Sequence, residues 1–113
     1  DAMAISVGNT HLQTSKKANI DFKKINLIEA KTKIPLVLHG SSGIPVEQRK
    51  KLSRKTKVAK LNIGTEIRMT FGEALRKNLK NNPKTYDRLQ LLKPTIKDLT
   101  KVTKKIIKQI GPN

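Results

Sequence analysis

The sequence predicts an α/β fold built on a parallel β-sheet. Three short apolar runs, at residues 2–7, 34–38 and 58–63, have the length and composition of buried strands. Stretches of helical length separate these runs, and a strand–helix–strand order favours right-handed crossovers between parallel strands. Each run is nearly continuous in apolar residues, as is typical of strands covered on both faces. We therefore expect one sheet, with the carboxyl ends of its strands at the same edge.

The segments between the strands predict two helices. Asp21 suits the N-cap of a helix that runs to about residue 32. The apolar side of this helix is formed by Phe22, Ile25, Leu27 and Ile28. Pro45 suits the first turn of a second helix, ending near residue 55, because its missing N–H is not needed there. Val46 and Leu52 are the main contributions of this helix to a core.

Two more helices are predicted after the third strand. Apolar residues recur there at helical spacing, and the sequence Asn81-Asn82-Pro83 ends the run. These apolar residues are Ile67, Phe71, Ala74, Leu75 and Leu79. Residues 84–93 are predicted to be irregular. The final helix covers 95–110 and is ended by Gly111-Pro112, with an apolar stripe of Ile96, Leu99, Val102 or Thr103, Ile106, Ile107 and Ile110.

Length and composition limit the class of protein. The chain has 113 residues, enough for one small domain, and no cysteine, which excludes disulfides, thiolate metal sites and cysteine nucleophiles. No apolar stretch approaches the ~20 residues that span a bilayer, so we expect no membrane partner. The lack of cysteine is compatible with a reducing cytoplasm, and we expect a cytoplasmic location. Because Asp1 rather than Met directly precedes the first strand-like run, we also expect the chain to be a fragment.

The net charge of +17 raises the question of a polyanionic partner. Twenty of the 25 cationic residues are lysine and aromatic residues make up 3% of the chain, whereas nucleic-acid-binding proteins favour arginine and stacking aromatics. We therefore interpret the lysines as a solvated surface and expect no specific nucleic-acid partner. A basic polyanion-binding module with weak, salt-sensitive affinity is an alternative that depends on charge alone.

Residues with metal-binding chemistry follow the predicted strands. His11 and His39, the two histidines of the chain, follow the first and second strands, and Asn62 follows the third, at intervals of 28 and 23 residues. Imidazole coordinates divalent metals, and active sites of β/α barrels lie at the carboxyl ends of the strands. Two histidines in equivalent positions favour a metal site over two unrelated surface histidines. A catalytic zinc site needs three protein ligands, so a complete site requires a third ligand from outside this chain.

Two turns have the composition of an anion-binding site. Gly40-Ser41-Ser42-Gly43 lies between a strand and a helix start, where free N–H groups suit phosphate. Asn62-Ile63-Gly64-Thr65 offers a second set of donors after the third strand. The alternative for the first turn is an ordinary loop, and the alternative for the second turn is a plain helix N-terminus. Arg68 and Arg88 are interpreted mainly as surface cations.

Three motifs resemble the C-terminal half of class II fructose-bisphosphate aldolases and the related tagatose-bisphosphate aldolases. They are Gly8-Asn9-Thr10-His11, PLVLHGSSGI at residues 35–44 and KLNIGTEIR at residues 60–68. The resemblance continues through Asn82-Pro83, Tyr86-Asp87-Arg88 and Leu92-Lys93-Pro94 to Gly111. It therefore covers essentially the whole chain.

This resemblance implies a zinc-dependent TIM (β/α)8 barrel, of which residues 1–113 form the last three β/α units and the C-terminal helix. Such lyases reversibly cleave a ketose 1,6-bisphosphate, here expected to be fructose 1,6-bisphosphate, into dihydroxyacetone phosphate and glyceraldehyde 3-phosphate in glycolysis and gluconeogenesis. By similarity, His11 and His39 are two zinc ligands, while the third histidine and the catalytic aspartate belong to the absent N-terminal half. Asn62 would contact the enediolate. The residues that would hold the substrate and its phosphate are Gly40, Ser41, Ser42, Asn62, Ile63, Gly64 and Thr65.

The resemblance also has consequences for assembly and activity. It implies a homodimer or homotetramer, and it implies that this chain is inactive without its N-terminal half. A catalytically inactive half-barrel remnant is the competing interpretation. The family usually has glycine directly after the first histidine, where the backbone approaches phosphate, whereas this chain has Leu12. Asn9 and the missing proline between Asp87 and Arg88 are further departures from the family pattern. The residues do not separate fructose from tagatose bisphosphate.

Overall fold

Strands and helices alternate along most of the chain in the computed structural model, which describes residues 1–111. The elements are β1 (Met3–Ile5), α1 (Phe22–Lys31), β2 (Leu36–Leu38), a 3-10 turn (Ser41–Gly43), α2 (Val46–Lys55), β3 (Val58–Leu61), α3 (Thr65–Asn81), α4 (Arg88–Leu92) and α5 (Thr95–Ile110). The predicted α/β class is confirmed. The two helices predicted between the strands are present, with Asp21 accepting a hydrogen bond from Lys24 N at 2.9 Å as the N-cap of α1. Pro45 directly precedes α2 instead of lying within its first turn.

The three strands form one parallel sheet in the order β1-β2-β3. Ile5 is paired with Leu38, and Leu38 with Leu61, so the last residues of the three strands are in register. All three residues of the central strand β2 are buried. The strands are shorter than the apolar runs that predicted them. At β1, for example, the side chain of Asn9 accepts the hydrogen bond of Val7 N at 2.8 Å and the chain leaves the sheet.

The core lies between the sheet and the two helices that connect its strands. Its buried members are Val7, Ala18, Ile20, Ile25, Leu36, Leu38, Ile44, Leu52 and Val58. Of the two core residues predicted for α2, Leu52 is buried, whereas Val46 is only partly buried. Arg49 is fully buried on the same helix, which the sequence did not predict.

The C-terminal helices are less buried than their apolar spacing predicted. α3 and α5 pack against each other, yet α3 has no buried residue, and Phe71 and Leu79 are 37% and 44% exposed. In α5, Ile106 is buried but Ile96 and Ile107 are 60% and 57% exposed. Much of the predicted apolar stripe therefore has no covering partner among residues 1–111. No helix in this described part of the chain is long and apolar enough to cross a membrane.

Helix α4 corrects the prediction that residues 84–93 are irregular. The side chain of Asp87 accepts a hydrogen bond from Leu89 N at 2.7 Å, which caps this short helix. The predicted bounds of the last helix are confirmed by α5, Thr95–Ile110. Gly111 follows α5 directly, while Pro112, which was predicted to end the helix with it, lies outside the described residues.

Candidate functional site

A cavity of about 460 Å³ lies at the carboxyl ends of the three strands. Its lining residues are His11, Leu12, His39, Gly40, Ser42, Leu61, Asn62, Ile63, Gly64, Thr65 and Arg68. All the predicted site residues except Ser41 are in this lining. Ser41 is fully buried and its hydroxyl donates to Leu38 O at 3.0 Å, so the structure places it behind the cavity as a support of the turn.

The two histidines face each other at the rim. Their ring centroids are 5.7 Å apart and their planes are inclined by 49°. Two imidazoles on one tetrahedral zinc, with Zn–N distances of ~2.0–2.1 Å, have centroids roughly 5 Å apart. The separation of His11 and His39 therefore fits two ligands of a shared ion. Within residues 1–111, no group of three His, Cys, Asp or Glu side chains could hold a metal.

Asn62 lies beside the nitrogen-bearing edge of His39. Its Nδ2 is 3.1 Å from Nδ1 and 3.4 Å from Nε2 of the ring. The backbone of Asn62 is fixed as well, because its N–H donates to Leu38 O at 2.9 Å and its carbonyl accepts from Ser41 N at 3.1 Å. Asn62 thus joins the end of β3 to the turn that follows β2.

The turn after β2 requires glycine at its first position. Gly40 has a φ of 62°, and a Cβ there would lie 2.3 Å from the carbonyl oxygen of Thr10. The side chain of Asn9 also reaches this turn, donating to His39 O at 2.9 Å. The loops that follow β1 and β2 are therefore packed backbone to backbone, which explains how His11 and His39 are held close together.

Leu12 is in the left-handed backbone region, with a φ of 59°. Its side chain is 73% exposed and lines the cavity. A non-glycine residue with this conformation is strained, because its Cβ crowds the backbone. The strained position is the one at which the resemblance predicted glycine.

The cavity carries positive charge and no acidic residue in its lining. Arg68, expected to be mainly a surface cation, lines the cavity, and its guanidinium covers the Cα of Gly64. The N-terminus of α3 begins at Thr65 beside it, and a helix N-terminus favours an anion. Arg88, in contrast, is on α4 and away from the lining.

Arg49, a buried residue behind the turn after β2, is a neighbour of the cavity that the sequence analysis missed. Its guanidinium is fully buried and donates to the carbonyl oxygens of Ser41 and Ser42. It also pairs with Glu66 at 2.6 Å, and Glu66 pairs with Lys16 at 3.0 Å. The spacing along α2 could have predicted its burial, because Arg49 precedes Leu52 by three residues and so lies on the same buried face.

The ionisation of Glu66 reflects this position. Burial raises the pKa of the Glu66 carboxyl, but hydrogen bonds and charge from Arg49 and Lys16 outweigh burial and hold the pKa below its ordinary value. Glu66 is therefore a carboxylate at neutral pH. It lies one residue after Thr65, which lines the cavity.

Comparisons with known proteins identify the family and similar folds. A family model described as class-II fructose-bisphosphate aldolase matches residues 1–113. The chain is 35% identical over 113 residues to a 6-phospho-5-dehydro-2-deoxy-D-gluconate aldolase of Bacillus licheniformis, covering 98% of this chain and 38% of that protein. It is 33% identical over 111 residues to the protein of the same name from Bacillus subtilis, with the same coverage of 98% and 38%.

A solved structure has a similar fold over nearly the whole length of this chain. The YdjI aldolase from Escherichia coli K12 matches with a TM-score of 0.68 and 27% sequence identity, covering 98% of this chain and 39% of that chain. The chain thus spans less than two fifths of the length of these relatives.

Proposed function

Because this chain belongs to the class II fructose-bisphosphate aldolase family, we propose that it supplies two metal ligands and the phosphate-binding turns of a zinc-dependent aldolase. One observation carries the proposal: both histidines and the donors of two turns line a single cavity. An aldol cleavage needs an electrophile near a ketone and a firm hold on the phosphate beside it. The cavity brings residues suited to both tasks together.

His11 and His39 would hold the metal, with a third histidine from outside this chain. When bound, zinc acts as a Lewis acid that polarises the substrate ketone. Asn62 is adjacent to His39, so its amide is suited to donate a hydrogen bond to the enediolate oxygen. None of the residues lining the cavity is a carboxylate, so we propose that the group that removes the substrate proton also comes from outside the chain.

The phosphate would bind between the two turns. Gly40 and Ser42 contribute the first turn, and Gly64 and Thr65 contribute the N-terminus of α3. The free N–H groups at the start of a helix attract an anion, and Arg68 adds a full positive charge beside them. The absence of acidic residues from the lining removes the main source of repulsion.

Two sugar phosphates are candidates for the substrate. Fructose 1,6-bisphosphate was expected from the sequence, whereas the two Bacillus relatives are named for 6-phospho-5-dehydro-2-deoxy-D-gluconate. Both compounds carry a phosphate next to a ketone, and aldol cleavage of either releases dihydroxyacetone phosphate. This cavity would bind that shared half. The names of the relatives favour the deoxygluconate phosphate and give no support to a role in glycolysis.

The rest of the barrel is the proposed partner of this chain. β1 and β3 are edge strands within residues 1–111, and each leaves one side of its backbone unpaired. The radius of gyration is 17.2 Å, against roughly 13 Å for a compact domain of similar length. An N-terminal half that continues the sheet from these edges would complete a TIM barrel. We further propose that the completed barrel assembles into a homodimer or a homotetramer.

A metal titration and a cleavage assay test this function. We expect the chain to bind Co²⁺, used as a spectroscopic probe for zinc, and the His11→Ala and His39→Ala variants to lose most of that affinity. Tyr86→Ala, at a residue that is 96% exposed, is the control. With the N-terminal half supplied, dihydroxyacetone phosphate should be released from one of the two substrates. Metal and phosphate binding without cleavage would support the inactive remnant, and no binding of either would contradict the proposal.

A further inference from the structure

We propose that Arg49 is a positioning residue that holds the turn at residues 40–43 in its phosphate-binding conformation from beneath. The inference rests on the proposed function, since it concerns the same phosphate. Arg49 is fully buried and cannot touch a substrate in the cavity. Apart from its charge, Arg49 can therefore affect binding only through the groups that its guanidinium contacts.

The guanidinium contacts the backbone of the turn at three points. Nε and Nη2 donate to Ser41 O at 3.2 and 3.0 Å, and Nη2 also donates to Ser42 O at 2.8 Å. Hydrogen bonds from a charged donor are stronger than those between neutral groups. Two successive carbonyl groups of one short turn are thus fixed by a single cation.

The orientation of these carbonyls determines that of the neighbouring N–H groups. The described residues contain no cis peptide bond, and in a planar trans peptide the carbonyl and the following N–H point in opposite directions. The N–H groups of Ser42 and Gly43 consequently point away from the guanidinium. The positive charge at the carbonyl end also polarises each peptide group, which makes its N–H a better donor to an anion.

Two further residues hold Arg49 in place. Glu66 Oε2 is 2.6 Å from Nη2, and Gln109 Oε1 of α5 is 3.1 Å from Nη1. Glu66 also anchors the turn directly, because its backbone N–H donates to Ser42 Oγ at 3.2 Å. Arg49 therefore connects the turn, the first residues of α3 and the C-terminal helix in one buried network.

A titration with inorganic phosphate, followed by the NMR shifts of the Ser42 and Gly64 amides, separates positioning from simple stabilisation. We expect Arg49→Met to weaken phosphate binding at least tenfold and Arg49→Lys to recover part of the loss. Arg54→Met removes an exposed arginine from the same helix and should leave the Kd unchanged. Co²⁺ binding by the histidines should be retained in all three variants.

The double variant Arg49→Met/Glu66→Gln guards against misfolding and against a change in net charge, because it removes one charge of each sign. It should also bind phosphate at least tenfold more weakly than the wild type. A merely structural role would lower the unfolding temperature of these variants while leaving the phosphate Kd within twofold of wild type, and that result overturns the inference alone. If the wild-type chain binds no phosphate at this turn, the inference fails together with the proposed phosphate site, while Co²⁺ binding and cleavage still test the remainder of the proposed function.

Discussion

The side-chain amide of Asn62 lies 3.1 Å from Nδ1 of His39, across the ends of two neighbouring strands. The pairing of Leu38 with Leu61 sets this contact, because each polar residue directly follows one member of that pair. If His39 binds the metal as proposed, a donor that touches its ring is close to where charge would develop on a substrate. A metal bound by His39 as proposed would compete with this amide for a ring nitrogen.

Asn62→Ala is therefore expected to separate metal binding from catalysis. Metal affinity should stay within about threefold of wild type, or rise slightly, because the ring nitrogens remain and the competing amide is gone. In the completed enzyme, kcat should fall on the order of 10²-fold, the usual cost of removing one preorganised donor. Co²⁺ titration and steady-state release of dihydroxyacetone phosphate measure the two effects. A large loss of metal affinity would show that Asn62 instead supports the ligand itself.

The histidine pair gives a second prediction. His11→Ala and His39→Ala should each weaken Co²⁺ binding to this chain by at least tenfold, because the chain supplies two of the proposed ligands and each variant removes one of them. The wild-type chain should bind one Co²⁺, since both residues would serve one ion. Two bound ions per wild-type chain, with one of them bound at unchanged affinity in each single variant, would instead indicate two independent sites.

The sequence was sufficient to predict the sheet and the meeting of the site residues at one edge. It was not sufficient to predict the buried residues that support the turn. Alternation of strands and helices constrains the topology, and so it predicted that His11, His39 and Asn62 meet at one edge. The role of Arg49 depends on carbonyls and side chains from the turn, α3 and α5, and no local pattern encodes that combination. The apolar spacing of α3 and α5 predicted buried faces, but burial depends on partners that residues 1–111 do not provide.

Acid sensitivity follows from the ion pairs of Glu66. Hydrogen bonds and charge from Arg49 and Lys16 hold the pKa of Glu66 in the folded state below its ordinary value. The resulting stabilisation is complete above the unfolded pKa and is lost as the pH falls through the folded pKa. Glu66→Gln should remove this part of the pH dependence and should lower the free energy of unfolding at pH 7 by about 2 kcal/mol. Urea unfolding at several pH values between 7 and 3 provides the measurement.

Glu47→Gln is the matched control for that experiment. Glu47 pairs with Lys50 at 2.9 Å, but its side chain is 81% exposed, so the pair contributes little. This variant should follow the wild-type pH profile closely. If Glu66→Gln also followed that profile, the buried network would not be a source of acid sensitivity.

The strained backbone of Leu12 gives the last prediction. Because Leu12 is 73% exposed, replacing it by alanine or glycine removes nearly the same contacts, but only glycine relieves the positive φ of 59°. Leu12→Gly should therefore be more stable than Leu12→Ala by about 1 kcal/mol in urea unfolding. At Leu27, which is 65% exposed within α1, the order should reverse, since glycine in a helix is about 1 kcal/mol worse than alanine. If alanine were the more stable replacement at both positions, residue 12 would carry no backbone strain.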